Sequence, residues 1–217
     1  MNAVIVGAGT YGQVYLHYLR QAGWEIIGFL DDNYEAHGQK VSEIAVLGGS
    51  ERLSDHNALG FSHVFCPIGN NFVRTRINTL ARSLGLITPN FLHHSAIVDS
   101  DIVQDTGVYL FPGAIVMPHS SLGMDVMISM GAKVAHHTSL ASGVFLSTNA
   151  AIGASIQVEE RSYFGMGATA VTGKCCKVGC DAVIGAGAIV LSDVPEGAVF
   201  VGAPARGISK ASVRGQL

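Results

Sequence analysis

Between Val98 and Ala170 apolar residues return at every sixth position. The column runs Val98, Gln104, Leu110, Val116, Leu122, Ile128, Val134, Leu140, Leu146, Ile152, Val158, Phe164 and Ala170, and Gln104 alone in it is polar. Two places earlier in each step stands a second column of small or β-branched residues, from Ile102, Val108 and Ala114 to Ile156, Ser162 and Ala168. Such a period matches neither an amphipathic helix nor a simple alternating strand. It predicts a hexapeptide β-helix, in which each hexad makes one flat side of a triangular coil. Three hexads close one turn of about 18 residues, and successive coils pair as parallel strands about 4.8 Å apart. After Ala170 the column slips by two places through Gly173 to Lys177 and resumes at Val178, Ile184 and Val190, which predicts a small outward loop. The stretch from Asp193 to Arg206, with Pro195 and Pro204, is predicted to end the solenoid.

The residues before the hexads follow a different pattern. Asn2 to Val6 reads as a short apolar strand, followed by the turn Gly7-Ala8-Gly9-Thr10-Tyr11-Gly12, a helical run from Gln13 to Gln21, and a second strand, Glu25 to Leu30, ending in Asp31 and Asp32. In a strand-turn-helix setting these glycines let the backbone approach a phosphate, and the helix amino terminus offers unpaired N–H donors. An acid about twenty positions further on is placed to hold a ribose hydroxyl or a base. Gly7, Gly9, Tyr11, Gly12, Asp31 and Asp32 are therefore candidate nucleotide-binding residues. Val64 to Ile68 reads as a third strand, and Gly69-Asn70-Asn71 turns it into a helix from Phe72 to Leu84. That turn lies on the edge where open α/β sheets bind ligands, so Asn70 is a further candidate, although a plain loop fits equally well. Only one mononucleotide half fits before the hexads begin. This favours a mononucleotide or nucleotide sugar over NAD.

The expected organisation is an α/β Rossmann-like half domain over residues 1–88, a linker near Pro89 to His94, a left-handed parallel β-helix over 96–208, and a polar tail over 209–217. Charged residues make up 13% of the 217 and the net charge is -3, which excludes the basic footprint of a nucleic-acid binder. No apolar run approaches the roughly 18 residues of a membrane span. The amino terminus lacks the pattern of an export leader, so a cytoplasmic location is expected. Cys66, Cys175, Cys176 and Cys180 are too few and too uneven for a disulfide framework and lack paired zinc spacing. They are read as small core fillers, and no metal site is expected.

The motifs "GAGTYG", "GFLDD", "LGGSERL" and "PIGNN" in the first part, with the hexads, "GAGAIV" and "VGAPAR" in the second, resemble the NeuD/PglD family of sugar acyltransferases. The likeness runs over nearly the whole chain. It implies a homotrimer, active sites between adjacent coils, acetyl-CoA lying along the solenoid, and a nucleotide-linked amino sugar or a sialic acid as acceptor. It also implies that His136 is the counterpart of the family's general base. Acyl transfer from a thioester needs such a group, because the attacking amine or hydroxyl sheds a proton as it adds to the carbonyl. Gly165, Gly167, Gly185 and Gly187 would leave the wall open for the pantetheine arm, and Lys174, Lys177 or Arg206 could meet the phosphates of acetyl-CoA.

The chain departs from the family where the histidine should be flanked by carboxylates, for it carries Ala135 and His137 there. Residues 18 apart should stack, which would align His137 with His119 and His119 with Asp101. A column of this kind could replace the missing acid, with His137 supporting His136 or acting as the base itself. The favoured reading is an acetyl-CoA-dependent N-acetyltransferase acting within a ternary complex. O-acetylation of a sialic acid, a nucleotide-sugar-binding protein that has lost catalysis, and a nucleotide-dependent oxidoreductase are its rivals.

Overall fold

The structure, a computed structural model, describes residues 2–99 and 102–209. It divides into two compact units between Phe91 and Leu92.

In the first unit three parallel strands form a sheet in the order β2-β1-β3, with β1 at Asn2–Val6, β2 at Glu25–Leu30 and β3 at His63–Phe65. Helix α1 spans Thr10–Gln21 and α2 spans Asn71–Ser83. The sheet is central and apolar, with Ala3, Val4, Ile5, Phe29, Val64 and Phe65 all fully buried. Strand β3 stops sooner than the apolar run to Ile68 suggests. Pro67 has no N–H for the ladder, so pairing ends before it.

The second unit is a parallel β-helix with three faces. Strand partners differ by 18 positions, as in Ile115 with Lys133 and Lys133 with Ala151. The first face runs from Ile97–Val98 to Ile189–Val190, the second from Val103–Gln104 to Lys177–Val178, and the third from Phe91–Leu92 to Val199–Val201. Apart from the three-residue Val199–Val201, each of these strands contributes two residues. The first points outward and the second inward, so Val116, Val134, Leu146, Phe164, Ile184 and Val190 are fully buried. Gln104 is the polar member of the inward column. It stands on the second face's first strand and is only half-buried.

The slip appears as two inserted residues. Val158 pairs with Val178 and Ala170 with Val190, both 20 positions apart. The end of the solenoid is itself built of strands. Val199–Val201 adds a parallel strand against Val183–Ile184, and Arg206–Ile208 folds back antiparallel on it. A reversed final strand ends the stack without offering another parallel coil a template.

Among the described residues, no helix is long and apolar enough to cross a membrane. Cys66 and Cys175 are buried as fillers, but Cys176 is exposed and Cys180 partly so, and none of the four is in a disulfide. Burial and the nearby Asp193 push the Cys175 thiol up to about 11, which keeps it protonated and unreactive.

Replacing Phe164 with alanine should lower the stability of the β-helix by about 3 to 5 kcal/mol through lost burial and an unfilled cavity. Urea denaturation followed by circular dichroism measures this. Thr169→Ala, an outward position on the same coil, is expected to leave the midpoint nearly unchanged.

Candidate active site

The glycine turn follows directly from β1. Gly7 has φ of +100°, a conformation that a side chain would strain, and a Cβ on Gly12 would fall on the Gly7 carbonyl oxygen. Nothing lies within 4 Å of the Cβ position of Gly9, so the turn is open there. Gly9 is also the N-cap of α1 and supplies no side-chain cap. Tyr11 is half-buried in the first turn of that helix.

The two aspartates after β2 divide their work. Asp31 closes the turn: its Oδ2 accepts the Ala8 N–H at 2.7 Å and its Oδ1 accepts the Asn33 N–H at 2.8 Å. The carboxylate thus occupies a backbone donor that a ligand phosphate would otherwise meet. Asp32 faces outward, accepts the Ser50 N–H at 2.7 Å and has Arg76 4.0 Å away. It lines a hollow of about 750 Å³ with Tyr34, His37, Ser50 and Arg76, within the size range of small-molecule sites. The Ser50 N–H, with Arg76 and His37 adding to it, holds the Asp32 carboxyl below its ordinary value.

Asn70 is the N-cap of α2, its Oδ1 accepting the Val73 N–H at 3.1 Å. Behind it lies a residue that the motifs did not single out. Arg74 is fully buried and donates to the Ile68 carbonyl at 2.8 Å and to Asn71 Oδ1 at 2.9 Å, fixing the turn between β3 and α2. Its place on the buried side of α2, with Asn71, Ile77, Asn78 and Ala81, is the signal that could have found it. Tyr34, His37 and Arg76 carried no comparable signal, because distant segments bring them to one hollow.

In the β-helix, His136 occupies the corner between the first and second faces. Its backbone is tied to both adjoining coils. The Ala135 carbonyl accepts from Ser120 Oγ at 3.1 Å, the His136 carbonyl accepts from the Ser155 N–H at 3.1 Å, and the His137 N–H donates to the Pro118 carbonyl at 3.2 Å. Both imidazoles are exposed, with Nδ1 of His136 2.9 Å from Nδ1 of His137. The His137 ring also lies 4.8 Å, centroid to centroid, from His119 on the preceding coil. Asp101, the remaining member of the expected column, lies outside the described residues.

Gly165, Gly167, Gly185 and Gly187 sit on another corner, between the third and first faces, so one chain does not bring them to His136. The fold itself asks for glycine there. A Cβ on Gly165 would lie 2.6 Å from the Ala186 nitrogen, and one on Gly185 would lie 2.8 Å from Val201, while Gly167 and Gly187 both have φ of +66°. Lys174 is exposed in the inserted loop, on the same corner as His136 but past the Ser155 coil. Lys177 is paired with Glu159 at 3.0 Å, and Arg206 donates to the Ala205 carbonyl at 2.9 Å. Among the described residues, no group of three or more His, Cys, Asp or Glu side chains is placed to hold a metal.

The family model described as the PglD N-terminal domain matches residues 2–79. A histidine-to-alanine mutant of GDP-perosamine N-acetyltransferase from Caulobacter crescentus, solved with CoA and GDP-perosamine, is 28% identical with a TM-score of 0.90, covering 97% of this chain and 98% of that one. The acetyltransferase domain of PglB from Neisseria gonorrhoeae, solved with acetyl coenzyme A, is 26% identical with a TM-score of 0.85, covering 95% of this chain and 98% of that one. WeeI from Acinetobacter baumannii shares the fold, with a TM-score of 0.83 at 21% identity over 96% of this chain and all of that one. An α/β segment followed by a hexapeptide-repeat β-helix thus defines the class, that of the sugar acyltransferases. Within it the match over residues 2–79 and the two structures at 28% and 26% identity make the chain similar to the NeuD/PglD family.

Because the Asp32 carboxyl lies below the unfolded value of 3.8, the stability it contributes is complete above that pH and disappears as pH falls through the folded-state value. Asp32→Asn is therefore expected to flatten the acid side of the thermal-unfolding profile relative to the parent chain.

Proposed function

We propose that the chain transfers an acetyl group from acetyl-CoA to the amino group of a nucleotide-linked amino sugar, with His136 as general base. The observation that carries this reading is an exposed imidazole fixed by the backbone at a β-helix corner, in a chain whose 28% identical relative was solved with CoA and GDP-perosamine. His136 takes a proton from the sugar amine as its nitrogen adds to the thioester carbonyl. The tetrahedral adduct then collapses, the carbon–sulfur bond breaks, and the proton passes to the departing sulfur. Amide and free CoA thiol are the products, with no acyl-enzyme between them. The nucleotide belongs to the first unit, with Asp32 and the 750 Å³ hollow as its proposed contacts and Gly7, Gly9, Tyr11 and Gly12 beside them. Asp31 and Asn70 support that site from behind.

Acetyl-CoA contacts are proposed at Gly165, Gly167, Gly185, Gly187, Lys174 and Arg206, which calls for more than one protomer. Ile97 and Ile189 on the first face are exposed. So are Met117 and Leu191 along the His136 corner, and Met130 and Met166 along the glycine corner, whereas Met124 stands apart on the third corner. Packing the first face around a threefold axis would cover these side chains. It would also set the His136 corner of one protomer beside the glycine corner of the next. A homotrimer follows, and cysteines outside any disulfide fit a cytoplasmic home.

Release of CoA thiol, measured with GDP-, UDP-, CMP- and dTDP-linked amino sugars added in turn, tests the reading. One acceptor should raise it well above background hydrolysis, and His136→Ala should lower kcat by about 10²- to 10⁴-fold. Turnover of a sialic acid alone would establish O-acetylation instead. Met166, 62% exposed, provides a separate test. Light scattering should show three 22.7 kDa chains for the parent protein and smaller species for Met166→Glu, with transfer falling in parallel.

A further inference from the structure

The resemblance puts carboxylates on either side of the base, whereas the group that meets His136 here is a second imidazole. The two rings are perpendicular, at 90°, with Nδ1 of one 2.9 Å from Nδ1 of the other. Two ring nitrogens at hydrogen-bonding distance accommodate one proton between them: two N–H groups would collide, and two bare lone pairs would repel. One ring must donate from Nδ1 and the other must accept there. A neutral imidazole that carries its proton on Nδ1 has none on Nε2, so this contact determines which nitrogen of each ring can act as a base.

The surroundings distinguish the rings. His137 is the more constrained, with its backbone at φ of +57°, its N–H on the Pro118 carbonyl and its ring against that of His119. Among the described residues, the titratable groups facing it are His136 on its own coil and His119 on the coil before. Among the described residues, the His136 ring has a single hydrogen-bonding partner, His137. We propose that His137 is the positioning residue of the site: its bare Nδ1 accepts the proton on Nδ1 of His136, leaving Nε2 of His136 free to take the proton of the acceptor amine. The proposal rests on the reading of His136 as the base and deepens it. An imidazole does this without negative charge. A carboxylate in its place would hold the same tautomer and, in addition, favour the protonated ring.

The tautomer can be read without any substrate, on the full-length chain labelled with ¹⁵N-histidine. His136, assigned by the signals that vanish in His136→Ala, should carry its proton on Nδ1 in the parent protein. In His137→Ala it should revert to the Nε2–H form. His137→Gln, whose amide oxygen can accept the same hydrogen bond, should restore the Nδ1–H form. In the acetyl-transfer assay, His137→Ala should lower kcat by about 10- to 100-fold, as loss of a ring-orienting partner does elsewhere, with little change in KM for acetyl-CoA. His137→Gln should recover most of that loss. His137→Glu should stay active and move the acid limb of its kcat–pH profile to higher pH.

An Nε2–H tautomer at His136 in the parent protein overturns the proposal. So does a kcat for His137→Ala within about twofold of the parent, or a His137→Gln no better than His137→Ala. If the parent protein acetylates no acceptor, the transferase reading fails, while the substrate-free spectrum still decides the tautomer.

Discussion

Each hexad of this β-helix has two residues of strand in which to place one side chain inside the prism, and the chain must then turn. This constraint governs the second unit. The inward position has to be apolar because it meets the coils above and below, and the corner has to bend the backbone within three or four residues. Left-handed residues do the bending: His119, Asp125, His137, Asn149, Ser155, Arg161 and Asp181 all have positive φ, alongside glycines at equivalent places. Buried hydroxyls then secure the corners. Ser120, Thr138 and Ser162 each donate to a carbonyl of the next coil's corner, at 3.1, 2.8 and 2.8 Å. Polar groups inside the prism are thereby satisfied rather than tolerated.

His136 gains its rigidity from the same construction. It is a surface residue, yet its backbone belongs to a ladder that extends into the coil on either side. Its ring is therefore presented from a framework that moves only if the stack moves. The neighbouring His137 is one of the left-handed corner residues, so the geometry that turns the chain also aims that imidazole at His136. Corner-making and site-making are here a single backbone event.

The first unit solves a different problem with a short sheet. A turn of three glycines must pass close beneath a helix, and the Asp31 carboxylate braces it by accepting the Ala8 N–H. Asp32 is left to face the hollow with Arg76, and the buried Arg74 steadies the turn on the other side of β1. Adjacent acids thus have unequal roles. One has two backbone donors of its own unit, and the other keeps a carboxylate oxygen toward the hollow.

The solenoid was legible because its period is local: an inward column from Val98 to Ala170 and a two-residue slip show directly in the order of side chains. The strand-glycine-helix opening was legible for the same reason, since each of its signals spans a few residues. The extent of β3, cut short by Pro67, and the antiparallel return of Arg206–Ile208 were not, because pairing there depends on what the neighbouring strand offers. Nor could spacing divide Asp31 from Asp32, or reveal that Gly165 and Gly185 are glycine because Ala186 and Val201 press on them. The sequence by itself determined the period, the inward column and the presence of two units. Only the tertiary structure decided which acid faces the hollow, which corner each candidate occupies and that His136 meets His137 nitrogen to nitrogen, because such contacts are set by backbone distances between coils and turns that no local pattern encodes.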